Sequence, residues 1–246
     1  MILHTAPAYT ISNENQRFAT QLVPNVKSVL TVAGSGDQAL FYKLAGAKIV
    51  DTFGINCNAR VIQDIKCAAI KNLSLAEYKD LLIKLHRVKS DVMAIPEMQF
   101  LGQFLPSETQ EIIEKNKPGS WVFGCGLDVS FYPENIPTEA EYVKLTSMLD
   151  EPFNFIWSDL YSLGAQLTGK YDLINISNIF DYAHDGAKQI KILNELSKYL
   201  NVNGHIVCLP QIHRYSYKDV VLPRLVYEKT AKDEKHTKAI LFQRTR

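Results

Sequence analysis

Short apolar, β-branched runs alternate along this chain with amphipathic segments. This pattern predicts strands that alternate with helices. The runs are bounded by Gly, Pro or polar clusters, as strands in a buried sheet are. The predicted strands cover residues 26–34, 47–55, 153–160, 171–180, 204–210, 220–230 and 238–245.

The amphipathic segments predict helices between these strands. In residues 58–73, Val61 and Ile65 fall on one face at helical spacing. Ser74 is followed three residues later by Glu77, a capping-box signature that predicts a further helix ending at Leu85. Further helices are predicted at 37–45, around 161–168, and at 184–200.

Repeated strand–helix units predict an α/β fold, with a mostly parallel sheet covered by helices on both faces. The last two strands predict an antiparallel end, which makes the sheet mixed. Residues 86–150 contain five prolines and no strong period, and we interpret them as an inserted helical and loop region. The length of 246 residues favours a single domain, 1–246, that carries this insertion.

The composition is that of an ordinary globular protein, with 46% hydrophobic and 22% charged residues. Lys and Arg number 27 against 26 Asp and Glu, so nothing in the net charge of +1 favours a nucleic-acid partner. No apolar run approaches a membrane span, and the N-terminus lacks the basic and apolar regions of a signal peptide. The four cysteines are scattered without a CxxC pair, which predicts reduced thiols, no metal site and a cytoplasmic protein.

The first strand leads into a glycine turn that opens the next helix. This turn reads Gly34-Ser35-Gly36-Asp37-Gln38. Glycines there let the backbone approach a ligand, and the N–H groups at the helix start favour polar or anionic groups. The turn lacks the GK[ST] ending of a phosphate-binding Walker loop and the third glycine of GxGxxG. A glycine turn without a ligand is therefore the alternative interpretation.

Polar residues recur where the later strands end, at the edge where open α/β sheets bind ligands. A nucleoside ligand needs a glycine turn, a partner for its ribose hydroxyls and a partner for its base. These residues are Asn56 after the second strand, Ser158, Asp159 and Leu160 after the third, and Ser177, Asn178 and Asp181 after the fourth. Each of them could instead only cap a helix or form a turn.

The segments VLTVAGSGDQAL, GAKIVDTFGIN and IKCAAIKNLSLAEYKDLL resemble the S-adenosylmethionine-dependent 3-amino-3-carboxypropyl transferase-like family. Named members of that family act on diacylglycerol in betaine-lipid synthesis. The resemblance covers about 1–85 and returns through 153–210. It implies a class I S-adenosylmethionine-dependent methyltransferase-like, or Rossmann-like, fold with S-adenosylmethionine as a substrate.

The resemblance also implies roles for the strand-end residues. Gly34, Ser35, Gly36 and Asp37, with Gln38 after them, would hold the methionine part. Asn56 would lie near the ribose, and Asp159 and Leu160 near the adenine. Ser177, Asn178 and Asp181 would face the reacting end, with Asn178 and Asp181 as the catalytic candidates. Asn13, Glu14, Asn15 and Arg17 would belong to a helix over the ligand; the alternative is an exposed helix capped by Ser12.

One position departs from the family pattern. The family has an acidic residue after the second strand, where this chain has Gly54. Such a carboxylate accepts hydrogen bonds from both ribose hydroxyls, and each charge-assisted bond contributes about 1.5–3 kcal/mol. Asp51 points to the other face of a regular strand and cannot replace it. Asn56 takes the role, or the cofactor binds weakly, or the chain no longer uses it.

The expected function is transfer of a 3-amino-3-carboxypropyl group from S-adenosylmethionine to a small-molecule acceptor, with release of 5′-methylthioadenosine. The alternatives are a methyltransferase acting on a small molecule and a non-catalytic binding or scaffold protein. Cys57 is interpreted as a plain buried thiol. Two further groups are open between a binding role and a loop or local core: the segment His213, Arg214, Tyr215 and Tyr217, and the aromatic residues Trp121, Phe123, Phe131 and Tyr132.

Overall fold

Seven strands form one sheet in the part of the chain that the structure describes. The structure is a computed structural model, and it describes residues 8–88, 91–115, 133–182, 185–210, 222–232 and 238–245. The strands are β1 Ser28–Val32, β2 Ile49–Gly54, β3 Asn154–Trp157, β4 Tyr171–Asn175, β5 Leu200–Cys208, β6 Leu225–Lys232 and β7 Lys238–Arg244.

The order of the strands across the sheet is β3-β2-β1-β4-β5-β7-β6. The first five pair in parallel, and β7 runs antiparallel between β5 and β6. The predicted mostly parallel, mixed sheet is confirmed. The chain leaves β1 toward one side of the sheet and returns at β4 on the other, so β1 and β4 flank a topological switch point.

Helices cover both faces of the sheet. They are α1 Gln16–Leu22, α2 Asp37–Leu44, α3 Cys57–Asn72, α4 Leu75–Arg87, α5 Pro96–Leu101, α6 Ser107–Lys115, α7 Glu139–Met148 and α8 Gly186–Ser197. Neighbouring strand residues face opposite sides: Val29 packs in the core under α1 to α7, and Leu30 packs in the core beside α8. Both faces are therefore apolar, which is why these strands have continuous rather than alternating hydrophobicity.

The described residues of the long connection from β2 to β3 pack on one face of the sheet. They bring Val92, Met98, Ile112 and Leu145 into the same core as Val29. The inserted region 86–150 thus shares its buried surface with the sheet. The aromatic residues 121, 123, 131 and 132 lie outside the described residues, as do His213, Arg214, Tyr215 and Tyr217. The assignment of 1–246 to one domain stays a prediction.

The capping box at Ser74 is confirmed. The Ser74 hydroxyl accepts from the Glu77 amide at 3.3 Å, and the Glu77 carboxylate accepts from the Ser74 amide at 2.7 Å. A second capping box, which was not predicted from the sequence, joins Thr138 and Glu141 at the start of α7.

One local prediction and one local alternative were wrong. The helix around 161–168 is only a 3-10 turn, Leu163–Gln166, because a short segment with Gly164 inside it cannot offset the cost of helix nucleation. The cap of α1 is Asn15, whose side-chain oxygen accepts from the Phe18 amide at 3.1 Å. The Ser12 hydroxyl instead accepts from Glu14 and Gln16 within the preceding loop.

The described cysteines, Cys57, Cys67 and Cys208, are buried and not disulfide-bonded, as predicted. Burial raises the pKa of Cys67 and of Cys208 above the usual thiol range. No helix within the described ranges combines the length and apolarity needed to cross a membrane.

Gly204 in β5 provides a test of the pairing of β5 with β4. A Cβ atom at this position would lie 2.9 Å from the Asn201 carbonyl oxygen and 3.1 Å from those of Tyr171 and Asp172. We expect Gly204→Ala to lower the free energy of unfolding by about 1–3 kcal/mol, because the clash is with backbone that cannot move aside.

The matched control is Gly186→Ala at the start of α8, where a Cβ would meet nothing within 4 Å. We expect this control to change stability by less than about 0.5 kcal/mol. Equal unfolding free energies for the two variants in urea titrations would contradict the pairing of β5 with β4.

Candidate functional site

A cavity of about 370 Å³ opens at the carboxyl ends of β1 to β4. Its walls are mostly apolar, and they come from four strand ends, the first turn of α3 and the residues that precede α1. The lining residues are Ala8, Tyr9, Val32, Ala33, Gly34, Phe53, Gly54, Ile55, Asn56, Ala59, Ser158, Asp159, Leu160, Tyr161, Asn178, Ile179 and Tyr182.

The structure brings six of the predicted strand-end residues to this one cavity: Gly34, Asn56, Ser158, Asp159, Leu160 and Asn178. They come from the ends of four different strands, so the convergence that the sheet topology predicts is present. The other predicted residues, Ser35, Gly36, Asp37, Gln38, Ser177 and Asp181, do not line the cavity. Of these residues, Asp37, Gln38 and Ser177 form buried side-chain hydrogen bonds.

The two glycines of the turn have different environments. Gly34 has φ +48° and lines the cavity, and a Cβ there would meet nothing within 4 Å. Gly36 has φ +82°, and a Cβ there would lie 3.0 Å from the Gln63 Cα in α3. Gly36 is thus required for the packing of α3 against the turn, whereas Gly34 leaves open space on the side of the cavity.

Gly54 lies in the cavity wall at the end of β2, where the family has an acidic residue. A Cβ at this position would meet the Phe155 ring at 3.6 Å and the Ala33 Cβ at 4.0 Å, both ordinary contacts. The backbone and the space around it therefore tolerate a side chain. Asp51 is held elsewhere, since its carboxylate accepts from the Tyr171 hydroxyl at 2.6 Å and from the Asn154 amide at 3.2 Å.

Two of the polar residues that line the cavity also accept hydrogen bonds from nearby backbone amides. The Asn56 side-chain oxygen accepts from the Asn58 amide at 3.0 Å and caps α3. Asp159 accepts from the Ser162 amide at 2.7 Å and is exposed, whereas Leu160 beside it is buried. Capping does not prevent either residue from contacting a ligand, because both face the cavity.

Asp37 joins the glycine turn to the segment before α1. Its carboxylate forms a buried ion pair with Lys66 of α3, and accepts from the Ser12 amide at 2.7 Å and the Ser35 hydroxyl at 2.8 Å. Burial lowers the pKa of Lys66, and the negative charge of Asp37 opposes that shift. The side chains of Asp37 and Ser35 thus hold the turn in shape.

Glu14 is the functional candidate that sequence reasoning named without giving it a role of its own. Its carboxylate is buried and accepts from the Ser177 hydroxyl at 2.5 Å and the Gln38 amide at 2.7 Å. Burial raises the pKa of Glu14 to about 7, and the charge of Asp181 adds to that shift. The hydrogen bonds from Ser177, Gln38 and Gln16 lower it.

The donors to Glu14 are themselves held in place. The Thr31 hydroxyl donates to the Gln38 side-chain oxygen at 2.9 Å. The Ser177 amide donates to the Asn175 side chain at 2.8 Å, and that side chain donates to the Tyr42 hydroxyl at 2.9 Å. Ser177 has φ +54°, a left-handed conformation that is uncommon outside glycine. The network therefore fixes the turn after β4 around the carboxylate.

The segment before α1 is also fastened from the side of α7. The Asn135 amide donates to the Ser12 and Glu14 carbonyls at 2.9 and 2.7 Å, and its oxygen accepts from the Gln16 amide at 3.0 Å. Arg17 forms a two-point ion pair with Glu141, at 2.5 and 2.7 Å, which lowers the pKa of Glu141 to about 2. Arg17 therefore pairs with α7.

The cavity rim carries exposed apolar residues that were not selected from the sequence. Ile55, Tyr161 and Tyr182 are 45%, 59% and 73% exposed and lie at the mouth. Aromatic residues directly after the polar strand ends were the signal that could have identified Tyr161 and Tyr182.

Comparison of the whole chain with solved structures identifies the fold in which this cavity lies. Two structures of the rRNA methyltransferase aviRa from Streptomyces viridochromogenes align with TM-scores of 0.51 and 0.50, at 12% and 14% identity. Each alignment covers 98% of this chain and 88% of that one. No protein-family model matches the chain, and no curated protein matches it either. The predicted class I methyltransferase-like fold is confirmed.

The pKa of Glu14 predicts a pH dependence of stability. A carboxyl whose pKa is raised on folding from 4.5 to about 7 stabilises the fold at low pH, and this contribution is lost as the pH rises through 7. We expect the stability of Glu14→Gln relative to the unsubstituted protein to rise by about 2–3 kcal/mol between pH 5 and pH 8.

Urea denaturation of both proteins at a series of pH values measures this difference. The same comparison with Glu141→Gln is the control, because the pKa of Glu141 is already low and the carboxylate stays ionised throughout this range. A constant difference between Glu14→Gln and the unsubstituted protein would contradict the raised pKa.

Proposed function

We propose that this chain, which has the fold of class I methyltransferases, binds S-adenosylmethionine in the cavity and transfers a group from it. The observation that carries the proposal is the cavity itself. It lies at the carboxyl ends of the parallel strands next to the switch point between β1 and β4, where open α/β sheets bind nucleotides. Its volume of about 370 Å³ lies in the range of small-molecule sites.

In this proposal different wall residues contact different parts of the ligand. The turn at Gly34 and the start of α2 receive the methionine part. Gly54 and Asn56 face the ribose, and Asp159 and Leu160 face the adenine. Asn178, with Ser177 and Asp181 beside it, faces the reacting carbon. These assignments are those that the family resemblance implies, and the meeting of four strand ends at one cavity supports them.

The reaction requires little covalent help from the protein, because a sulfonium is already a good leaving group. The acceptor's lone pair forms a bond to the attacked carbon, and the electrons of the broken C–S bond pass to sulfur, which becomes a neutral thioether. The protein aligns the acceptor with that carbon and takes up the proton that the acceptor loses. Asp181 is the proposed base or positioning group.

Aminocarboxypropyl transfer is the preferred reaction, supported by the resemblance of the first 85 residues to that transferase-like family. Methyl transfer is the second candidate, and the shared fold with an rRNA methyltransferase favours it. The net charge of +1 supports a small-molecule acceptor over nucleic acid for either reaction.

Gly54 provides a test of the ribose position. We expect Gly54→Asp to tighten the binding of S-adenosylhomocysteine about tenfold, or about 1.4 kcal/mol, because it restores an acceptor for the ribose hydroxyls. Gly54→Asn is the matched control of nearly equal size without the charge. Gly54→Leu should abolish binding, because its side chain would occupy the cavity.

Calorimetry on the four proteins measures these affinities. If Gly54→Asp and Gly54→Leu both bind as the unsubstituted protein does, the ligand lies elsewhere. If only Gly54→Leu loses binding, the cavity is correct and the ribose is held by other groups.

The nucleoside product decides the reaction. Attack on the γ-carbon of the methionine part leaves 5′-methylthioadenosine, and attack on the methyl group leaves S-adenosylhomocysteine. We expect methylthioadenosine above the uncatalysed background when the protein is incubated with S-adenosylmethionine and a small-molecule cell extract. Mass spectrometry identifies the product, and the Gly54→Leu variant should not form it.

S-adenosylhomocysteine in place of methylthioadenosine would establish the methyltransferase alternative. Measured binding of S-adenosylmethionine without either product would favour the non-catalytic alternative, provided that extracts from several sources give the same result.

A further inference from the structure

A second cavity, of about 530 Å³, lies between α8 and the loop that follows β3. Its volume is in the range of small-molecule sites, and the proposed transfer reaction does not use it. The residues that line it are Leu160, Tyr161, Lys188, Lys191, Ile192 and Glu195.

Two lysine ammonium groups give this cavity a positive wall. Lys188 and Lys191 are three residues apart in α8, a spacing that places both side chains on one face of the helix. Among the described residues, no carboxylate lies within ion-pair distance of Lys191, and the one near Lys188 is that of Asp185, at 3.9 Å. The Asp185 carboxylate also caps α8, where it accepts from the Ala187 amide at 2.9 Å. The two positive charges are therefore little compensated by the protein.

Glu195 is the acidic residue of the same wall, and its charge has a partner outside the cavity. Its carboxylate pairs at 2.5 Å with Lys198, which does not line the cavity. The carboxylate also packs against the turn Leu163–Gln166, since a Cβ at Gly164 would lie 3.0 Å from one of its oxygens. The balance of charge at the cavity thus stays positive and favours an anionic ligand.

The rest of the wall is apolar and aromatic. Leu160 and Ile192 are buried, and Tyr161 is 59% exposed. Leu160 and Tyr161 also line the first cavity, so the two cavities share one wall. A ligand that covers this apolar surface gains free energy from its burial, which a bare inorganic ion does not. The wall therefore favours an organic anion.

A phosphate monoester matches the two ammonium groups better than a carboxylate does. It carries a charge of about −1.5 to −2 at pH 7 and three strong acceptor oxygens. Each lysine is a compact positive charge with three N–H donors. Two lysines can therefore share the oxygens of one phosphate and balance its charge, whereas a carboxylate balances only one of them.

We propose that this cavity binds a small phosphate monoester with an aromatic or apolar body. Lys188 and Lys191 hold the phosphate, and the body packs on Tyr161 and the two buried aliphatic residues. The site is separate from the cavity assigned to S-adenosylmethionine, and the inference does not depend on that assignment. Because the cavities share Tyr161, a ligand here would border whatever occupies the first cavity.

Calorimetry on the full chain at low ionic strength tests this site with three probes: phenyl phosphate, inorganic phosphate and phenol. We expect phenyl phosphate to bind about tenfold more tightly than inorganic phosphate, because its ring buries apolar surface against Tyr161. Phenol should bind at least about tenfold more weakly than phenyl phosphate, because it lacks the charge.

Variants separate the phosphate contacts from the ring contact. Lys188→Gln and Lys191→Gln should each weaken both phosphates about fivefold, the upper range for an exposed ion pair. Tyr161→Ala should weaken phenyl phosphate and leave inorganic phosphate unchanged. Glutamine has nearly the helix propensity of lysine, so α8 should persist. Lys170→Gln is the matched control, because it removes the same charge from an exposed lysine that lines neither cavity.

Several results would overturn the inference. Phenyl phosphate that shows no saturable binding at millimolar concentrations would do so, and so would equal weakening by Lys191→Gln and Lys170→Gln, which indicates a general charge effect. Loss of phenyl phosphate binding in Gly54→Leu, which fills the first cavity, would place the ligand there instead.

Two further measurements define the ligand class and keep this inference apart from the proposed function. A single-stranded oligonucleotide that binds more tightly than phenyl phosphate, and loses affinity in Lys191→Gln, would replace the small ligand by a nucleic acid and overturn the proposal. S-adenosylhomocysteine is titrated separately. Its failure to bind would overturn the proposed function and leave the phosphate site standing.

Discussion

The buried ion pair between Asp37 and Lys66 is the interaction on which the arrangement of the chain at the carboxyl edge of the sheet depends. It connects the start of α2 to the middle of α3, and the same carboxylate holds the Ser12 amide and the Ser35 hydroxyl. A buried charge whose partner is removed costs about 3–5 kcal/mol. The pair therefore fixes three parts of the chain that are distant in sequence, and the glycine turn takes its shape between them.

Most of the fold could be predicted because it depends on local patterns. Apolar strands, the Ser74 capping box and the antiparallel end all leave a signal within a few residues. The failed helix around 161–168 shows the limit, since its apolar residues suit a helix and a 3-10 turn equally well. The alternative cap at Ser12 is wrong although Ser12, Asn13 and Asn15 are all residue types that cap helices well. The Ser12 amide is instead held by Asp37, a contact that the local sequence does not indicate.

The site was predictable only as far as the sheet topology determines it. Parallel strands place their carboxyl ends together, so Gly34, Asn56, Asp159, Leu160 and Asn178 were expected to meet, and they do. Which side chains turn inward depends on partners far along the chain. Asn135 holds the segment before α1, and Glu141 holds Arg17 in α1, each across more than a hundred residues. No periodicity in the sequence indicates such contacts. A polar segment such as 12–17 predicts exposure, yet Glu14 is buried.

The charged groups near the cavity also affect what an acidic residue in place of Gly54 would change. An acidic residue there would place a carboxylate in the cavity wall, whereas Glu14 does not line the cavity and its carboxylate is hydrogen-bonded to Ser177 and Gln38. The low dielectric around the buried Glu14 strengthens its hydrogen bonds and its repulsion from Asp181. The uncommon backbone conformation of Ser177 is stabilised by the same network, so strain in the turn after β4 and the burial of Glu14 depend on each other.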